Sequence, residues 1–175
     1  MKKIIKIISN NKIIALPTNT IYGLSCNKQN INTIKKILFL KKRSYLLPLT
    51  IITFSINKTY LWIKNKINIK HLIKKNYKGT TTLIFKKKIF FKKFCNKTIG
   101  IRIPQKNKIQ KIIKPFSGIT STSINEKNNL QIINNKIIKK FLNIKINFCL
   151  KKNYNMKGKE SQILSSINKT KIKRN

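Results

Sequence analysis

Five short blocks hold the residues able to do chemistry. The first, Leu16-Pro17-Thr18-Asn19-Thr20-Ile21-Tyr22-Gly23-Leu24, is a Pro-Thr turn between two strand-like runs. It exposes hydroxyls and backbone N–H groups at a strand end, and its glycine permits close backbone approach. The second, Lys41-Lys42-Arg43, ends a helix-like run. Two cations at i and i+2 can grip a phosphate chain, with arginine supplying the planar fork. The third, Gly79-Thr80-Thr81-Thr82-Leu83, is a glycine-led turn into a strand. The fourth, Gly100-Ile101-Arg102-Ile103-Pro104, sets an arginine between isoleucines. Burying that cation alone would be costly, so it is expected to point into a cleft. The fifth, Ser121-Thr122-Ser123-Ile124-Asn125, puts Ser121, Ser123 and Asn125 on one face if the strand continues that far. Each block alone also fits a plain role: a hairpin turn, a solvated lysine run, a polar strand end.

The background sharpens these blocks. Lysine (38), isoleucine (36) and asparagine (23) fill more than half of the 175 positions, and aspartate and valine are absent. Those three residues have A/T-rich codons, so the composition reads as mutational pressure. Departures from it are therefore informative. Arginine stands only at 43, 102 and 174, where an A/T-favoured codon change would have given lysine. The net charge of +39 predicts salt-dependent attraction to polyanions and self-repulsion at low salt. The same codon pressure also explains that charge.

Scarcity excludes several chemistries. Glu126 and Glu160 are the only carboxylate side chains, too few for a two-carboxylate glycosidase, an aspartic dyad or a protein-built magnesium cage. A Ser-His-Asp triad lacks its aspartate. His71 is the only histidine, and Cys26, Cys95 and Cys149 form no CxxC pair. Neither a zinc site nor a disulfide framework is expected. Any reaction must therefore work by positioning and by cationic stabilisation of anions.

The elements that must carry the blocks follow from periodicity. Ile4, Ile5, Ile7 and Ile8 suit a short helix, with a strand as the alternative, and Asn10-Asn11 a turn. Strands are expected at 12–16, 21–25, 49–53, 80–85, 98–103 and 118–122, with late ones at 145–150 and 161–164. Asn30 should cap a helix bearing Ile31, Ile34, Ile37, Leu38 and Lys41. Further helices are expected over 57–75, broken near Asn68, and over 105–114 and 135–141. Mixed elements in 175 residues give one α/β (α+β) domain over 1–166, followed by a basic, unstructured tail over 167–175. No apolar run nears the roughly 18 residues that span a bilayer, and Lys6 breaks the only signal-like stretch. A cytoplasmic protein, with no membrane partner, is expected.

Taken together, the order and spacing of the blocks resemble the YrdC-like domain family, whose bacterial members are threonylcarbamoyl-AMP synthases. Pro17, Thr18, Thr20, Tyr22, Gly23 and Leu24 match its Pro-Thr-x-Thr-x-Tyr-Gly-Leu block. Lys41 and Arg43 match Lys-x-Arg, Gly79 and Thr82 its glycine turn, and Gly100, Arg102 and Pro104 its Arg-x-Pro. Ser123 and Asn125 match Ser-x-Asn. Departures are Ser44 for a proline, Leu47 for a Lys or Asn, Lys78 and Thr80 for the prolines around Gly79, and Lys127-Asn128 for Ser-Gly. Gly158-Lys159-Glu160-Ser161-Gln162-Ile163 resembles the Pro-Ser-x-Ile segment without its proline.

The resemblance implies a twisted mixed sheet flanked by helices, with a concave basic cavity. It implies that L-threonine, bicarbonate or CO₂ and ATP give L-threonylcarbamoyl-adenylate and pyrophosphate, for modification of tRNA next to the anticodon. Lys41 and Arg43 would be catalytic and hold phosphates, and Ser123 and Asn125 would bind the nucleotide. Thr20, Thr82 and Arg102 would line the threonine or carbamate side. Mg²⁺ would arrive on ATP. Implied partners are tRNA or other RNA and the threonylcarbamoyl transferase machinery. Two other readings stand beside this one: a non-catalytic basic RNA-binding protein, supported by charge, and a sugar-phosphate enzyme, opposed by the shortage of acids.

Overall fold

The computed structural model describes residues 1–18, 20–44, 50–64, 79–88, 97–105, 107–124, 146, 148–149, 161–167 and 171–172. Helix α1 spans Lys2–Ser9 and buries Ile4 and Ile8, one turn apart. That i, i+4 pair decides the helix-or-strand ambiguity of the isoleucine run. Asn11 takes a left-handed φ of 55° to turn the chain, a conformation asparagine tolerates. Strands β1 (Ile14–Pro17) and β2 (Tyr22–Asn27) then form an antiparallel hairpin.

Helix α2 (Ile31–Leu40) starts where the sequence says it should: Asn30 Oδ1 accepts from Thr33 N at 2.8 Å. Its end is less regular. Lys41 is the C-cap, and Lys42 adopts φ 47°. Arg43 N donates to Leu38 O at 3.0 Å and Lys42 N to Phe39 O at 2.9 Å. This is the paired bonding of a Schellman turn with lysine in the usual glycine position.

Strand β3 (Thr50–Ile52) and helix α3 (Ile56–Thr59) follow, then β4 (Thr81–Lys86), β5 (Thr98–Arg102) and helix α4 (Asn107–Ile113). A 3₁₀ turn at Lys114–Phe116 leads into β6 (Ile119–Ser123). Strands β7 (Phe148–Cys149), β8 (Gln162–Ser165) and β9 (Lys171–Ile172) complete the described elements. The described strands form one mixed sheet in the order β7-β1-β2-β6-β3-β5-β4-β8-β9.

Alternation along β1 explains its unbroken burial. Ile13 and Ala15 pack with Tyr22, Leu24 and the α2 residues Ile34, Ile37 and Leu38. Ile14 and Leu16 pack with Ile4 and Ile8 of α1 and with Ile109, Ile112 and Ile113 of α4. A strand covered on both faces reads as continuously apolar. Farther along the sheet, Trp62, Ile63, Leu83, Phe85, Ile99 and Ile101 form a third cluster.

Two expectations need correction. The helix expected over 57–75 ends at Thr59. Ile63 instead bridges Lys87, with Lys64 N bonded to Lys86 O at 2.9 Å and Lys88 N to Trp62 O at 3.0 Å. Burial of Trp62 and Ile63 against β4 and β5 overrides local helical spacing; residues 65–75 lie outside the described ones. In the segment expected to be a free tail, Lys171–Ile172 pairs antiparallel with β8. The helix expected over 135–141 lies outside the described residues, as do His71, Cys95, Glu126 and Glu160.

Candidate active site

The β1–β2 turn, the end of β5 and the start of β8 converge on one cleft of about 360 Å³, counting its open mouth. Its walls carry Thr18, Thr20, Thr50, Thr82, Ser121, Thr122, Ser123 and Ser161, with Arg102 the basic side chain among the described lining residues. Hydroxyls thus gather from the β1–β2 turn, from β3, β4 and β6, and from the residue before β8. The gathering depends on register: Ser121 sits opposite Ser25 on β2 and Thr50 on β3, and Ile52 pairs with Arg102.

Arg102 is 7% exposed. Its Nε donates to Gly79 O at 3.0 Å and its Nη1 to Thr20 Oγ1 at 3.1 Å. The arginine therefore ties the third sequence block to the first. Gly79 has φ +63°, and a Cβ there would lie 2.9 Å from Gln105 Cγ; only glycine makes this turn and delivers its carbonyl without strain. Gly23 is a close approach of another kind. A Cβ on it would lie 2.5 Å from Ser121 Oγ, the atom that accepts from Ser25 Oγ at 2.9 Å.

On the wall, Thr82 Oγ1 and Ser161 Oγ are 3.0 Å apart, joining β4 to the residue before β8. At the rim, Arg43 Nη1 donates to Thr122 Oγ1 at 3.3 Å. The Schellman turn after α2 reverses the chain there and aims Arg43 at β6. Cys26 of β2 is buried in the core shared with α2, and burial pushes its thiol up to about 12. It is no nucleophile at neutral pH. No group of three or more metal-ligating side chains occurs among the described residues.

Of the residues expected to serve the site, Thr20, Thr82, Arg102 and Ser123 share the cleft. Arg43 touches its wall through Thr122. Lys41 is a half-buried helix cap and is not among the lining residues. Asn125 lies outside the described residues. Sequence reasoning did not select Thr18, Thr50, Thr122 or Ser161. Thr18, Thr122 and Ser161 stood in noticed blocks, but hydroxyl-rich strands carry no mark of which face meets a cleft.

A mixed sheet with helices on its faces, and a hydroxyl-walled cleft around one buried guanidinium, define an α/β domain suited to a small anionic or zwitterionic ligand. The chain belongs to the Sua5/YciO/YrdC family: the family model described as "Telomere recombination" matches residues 6–175. It is 31% identical over 122 residues to the threonylcarbamoyl-AMP synthase of Buchnera aphidicola subsp. Baizongia pistaciae, covering 66% of each chain. It is 34% identical over 122 residues to the putative threonylcarbamoyl-AMP synthase of Methanocaldococcus jannaschii, covering 69% of this chain and 58% of that one. The chain thus matches just under two thirds, or less, of those relatives' lengths. The crystal structure of P. abyssi Sua5 complexed with L-threonine superposes with a TM-score of 0.80 at 24% identity. That likeness, one of fold, covers 93% of this chain and 49% of the other. Among the described residues, no helix is long and apolar enough to cross a membrane.

Proposed function

We propose that this chain forms L-threonylcarbamoyl-adenylate and pyrophosphate from L-threonine, CO₂ or bicarbonate, and MgATP. The observation that carries the reading is the guanidinium of Arg102, set among eight serine and threonine lining residues, in a chain whose relatives bear that enzyme's name.

The reaction needs no protein nucleophile. The neutral amine of threonine attacks CO₂ and loses one proton, giving a carbamate. A carbamate oxygen then attacks the α-phosphorus as the bond to pyrophosphate breaks. What the protein must supply is alignment of two substrates and positive charge around the phosphates. Arg102 would pair with the threonine carboxylate, with Thr20 and Thr82 lining the same side. Arg43 and Lys41 would hold the phosphates and stabilise leaving pyrophosphate, while Ser123 and Asn125 would bind the nucleotide. Mg²⁺ would come bound to ATP, because the cleft's described side chains are hydroxyls and a guanidinium. The product would pass to the machinery that modifies tRNA.

The test is incubation of the purified chain with MgATP, labelled L-threonine and bicarbonate. A labelled adenylate with stoichiometric pyrophosphate is expected. Salt-sensitive RNA affinity without ATP binding would instead favour the non-catalytic RNA-binding reading.

A further inference from the structure

The protons on one wall of the cleft can be counted. Thr18 Oγ1 lies 2.6 Å from Ile21 O. A carbonyl only accepts, so the single Thr18 hydroxyl proton is committed there. Thr18 Oγ1 and Thr20 Oγ1 are 3.0 Å apart. With the Thr18 proton already placed, Thr20 must donate in this pair. Thr20 N approaches the same Thr18 oxygen at 3.4 Å, which again leaves Thr18 the acceptor. On its other side, Thr20 Oγ1 accepts from Arg102 Nη1 at 3.1 Å. A hydroxyl has one proton and two lone pairs. The Thr20 proton and one lone pair are spent inside the protein, and one lone pair remains. Thr18 and Thr20 are 3% and 2% exposed and both line the cleft.

We infer that Thr18 is a positioning residue that locks the Thr20 hydroxyl as a proton acceptor towards the cleft, so that this wall reads a substrate N–H. The inference rests on the proposed threonine reading and adds a direction to it. Beside Arg102, which binds a carboxylate, a fixed acceptor completes recognition of an α-amino acid: anion to the guanidinium, N–H to Thr20. The arrangement survives the first chemical step, because a carbamate made from a primary amine keeps one N–H. It also disfavours ligands that bring only acceptors to this wall, since a lone pair facing a lone pair goes unpaired. Without the Thr18 oxygen, the Thr20 proton would be released to rotate into the cleft, and the wall would present a donor.

The test uses the full chain. L-threonine and 3-hydroxybutanoate, which keeps the carboxylate and β-hydroxyl but has no amine, are titrated calorimetrically into wild type, Thr18→Val and Thr18→Ser. Wild type should prefer threonine by about tenfold or more, the worth of one good hydrogen bond to a charged or polarised group. Thr18→Val should lose most of that preference, chiefly by weaker threonine binding, and Thr18→Ser should restore it. A purely structural role would weaken both ligands alike. A Thr18→Val protein that keeps the wild-type preference overturns the inference and leaves the threonine reading standing; wild type that binds no threonine overturns both. Should Thr18→Val fail to fold, a neutron structure of wild type decides. A Thr20 proton on the line to Thr18 Oγ1 supports the assignment, and one directed into the cleft sinks it.

Discussion

Replacing Arg102 puts the most weight on the geometry. The guanidinium is 7% exposed and is oriented by Gly79 O at 3.0 Å and Thr20 Oγ1 at 3.1 Å. At 4 Å from a carboxylate, in an effective dielectric near 20, the attraction is about 4 kcal/mol. Part of this offsets desolvation of the ligand, and hydrogen bonds to charged groups net about 1.5–3 kcal/mol each. A loss of about 3 kcal/mol is therefore expected for Arg102→Met, or about a hundredfold in kcat/KM for threonine. The stability change should be about 1–3 kcal/mol, because the buried Gly79 carbonyl loses its donor, whereas water entering the cleft can replace the donor lost to Thr20 Oγ1. Arg102→Lys keeps the charge yet cannot bond Gly79 O and Thr20 together while still presenting a fork. It should lose at least about tenfold on the same scale. Steady-state pyrophosphate release at varied threonine, with thermal melting alongside, measures both terms. Wild-type kcat/KM for threonine in Arg102→Met would refute the reasoning, whatever the melting curve shows.

Three further expectations follow from other contacts. Arg43→Ala should abolish threonine-dependent pyrophosphate release while the melting temperature stays near wild type, since its side chain is half-exposed and its bond to Thr122 is long, at 3.3 Å; unchanged turnover would reject its phosphate role. Gly23→Ala places a methyl 2.5 Å from Ser121 Oγ and 3.4 Å from Thr122 O, so the serine must rotate off Ser25. A loss of about 1–3 kcal/mol is expected, at about 2–4 °C per kcal/mol in a thermal melt. Lys28 is buried, with Nζ donating to Phe116 O at 2.5 Å and lying 5.6 Å from the Trp62 ring centroid, and burial lowers its ammonium below the usual 10.5. Between the lowered value and 10.5 the unfolded chain binds more protons, so Lys28's contribution to stability rises with pH in that window. Denaturant titrations of wild type and Lys28→Met across alkaline pH should differ by that rise; parallel curves would count against it.

Much of the framework was legible because it is local. Asn30 marked the start of α2 by its side-chain acceptor, and a helix was expected over 105–114, where α4 lies; the isoleucines of α1 fitted a helix but left a strand open. Arg102 was legible as a cleft residue from two neighbours alone, since a cation between isoleucines in a strand must find a polar exit. Scarce residues stood out against a lysine and isoleucine background, which is why Arg43, Arg102 and the glycines could be picked without knowing their positions in space.

Other features belong to the tertiary structure. The 60–64 segment has helical spacing, but Trp62 and Ile63 gain more by packing on β4 and β5. The Schellman turn that aims Arg43 places a lysine at φ 47°, where no glycine announced it. Thr18, Thr122 and Ser161 are ordinary hydroxyls until β2 meets β6 and β4 meets β8 in register. Sequence alone determined which residues are chemically capable and which elements they sit on, because propensity, alternation and capping act over a few residues. Only the folded sheet decided which of them share a cleft, because pairing between strands as far apart as positions 25 and 121 sets those contacts.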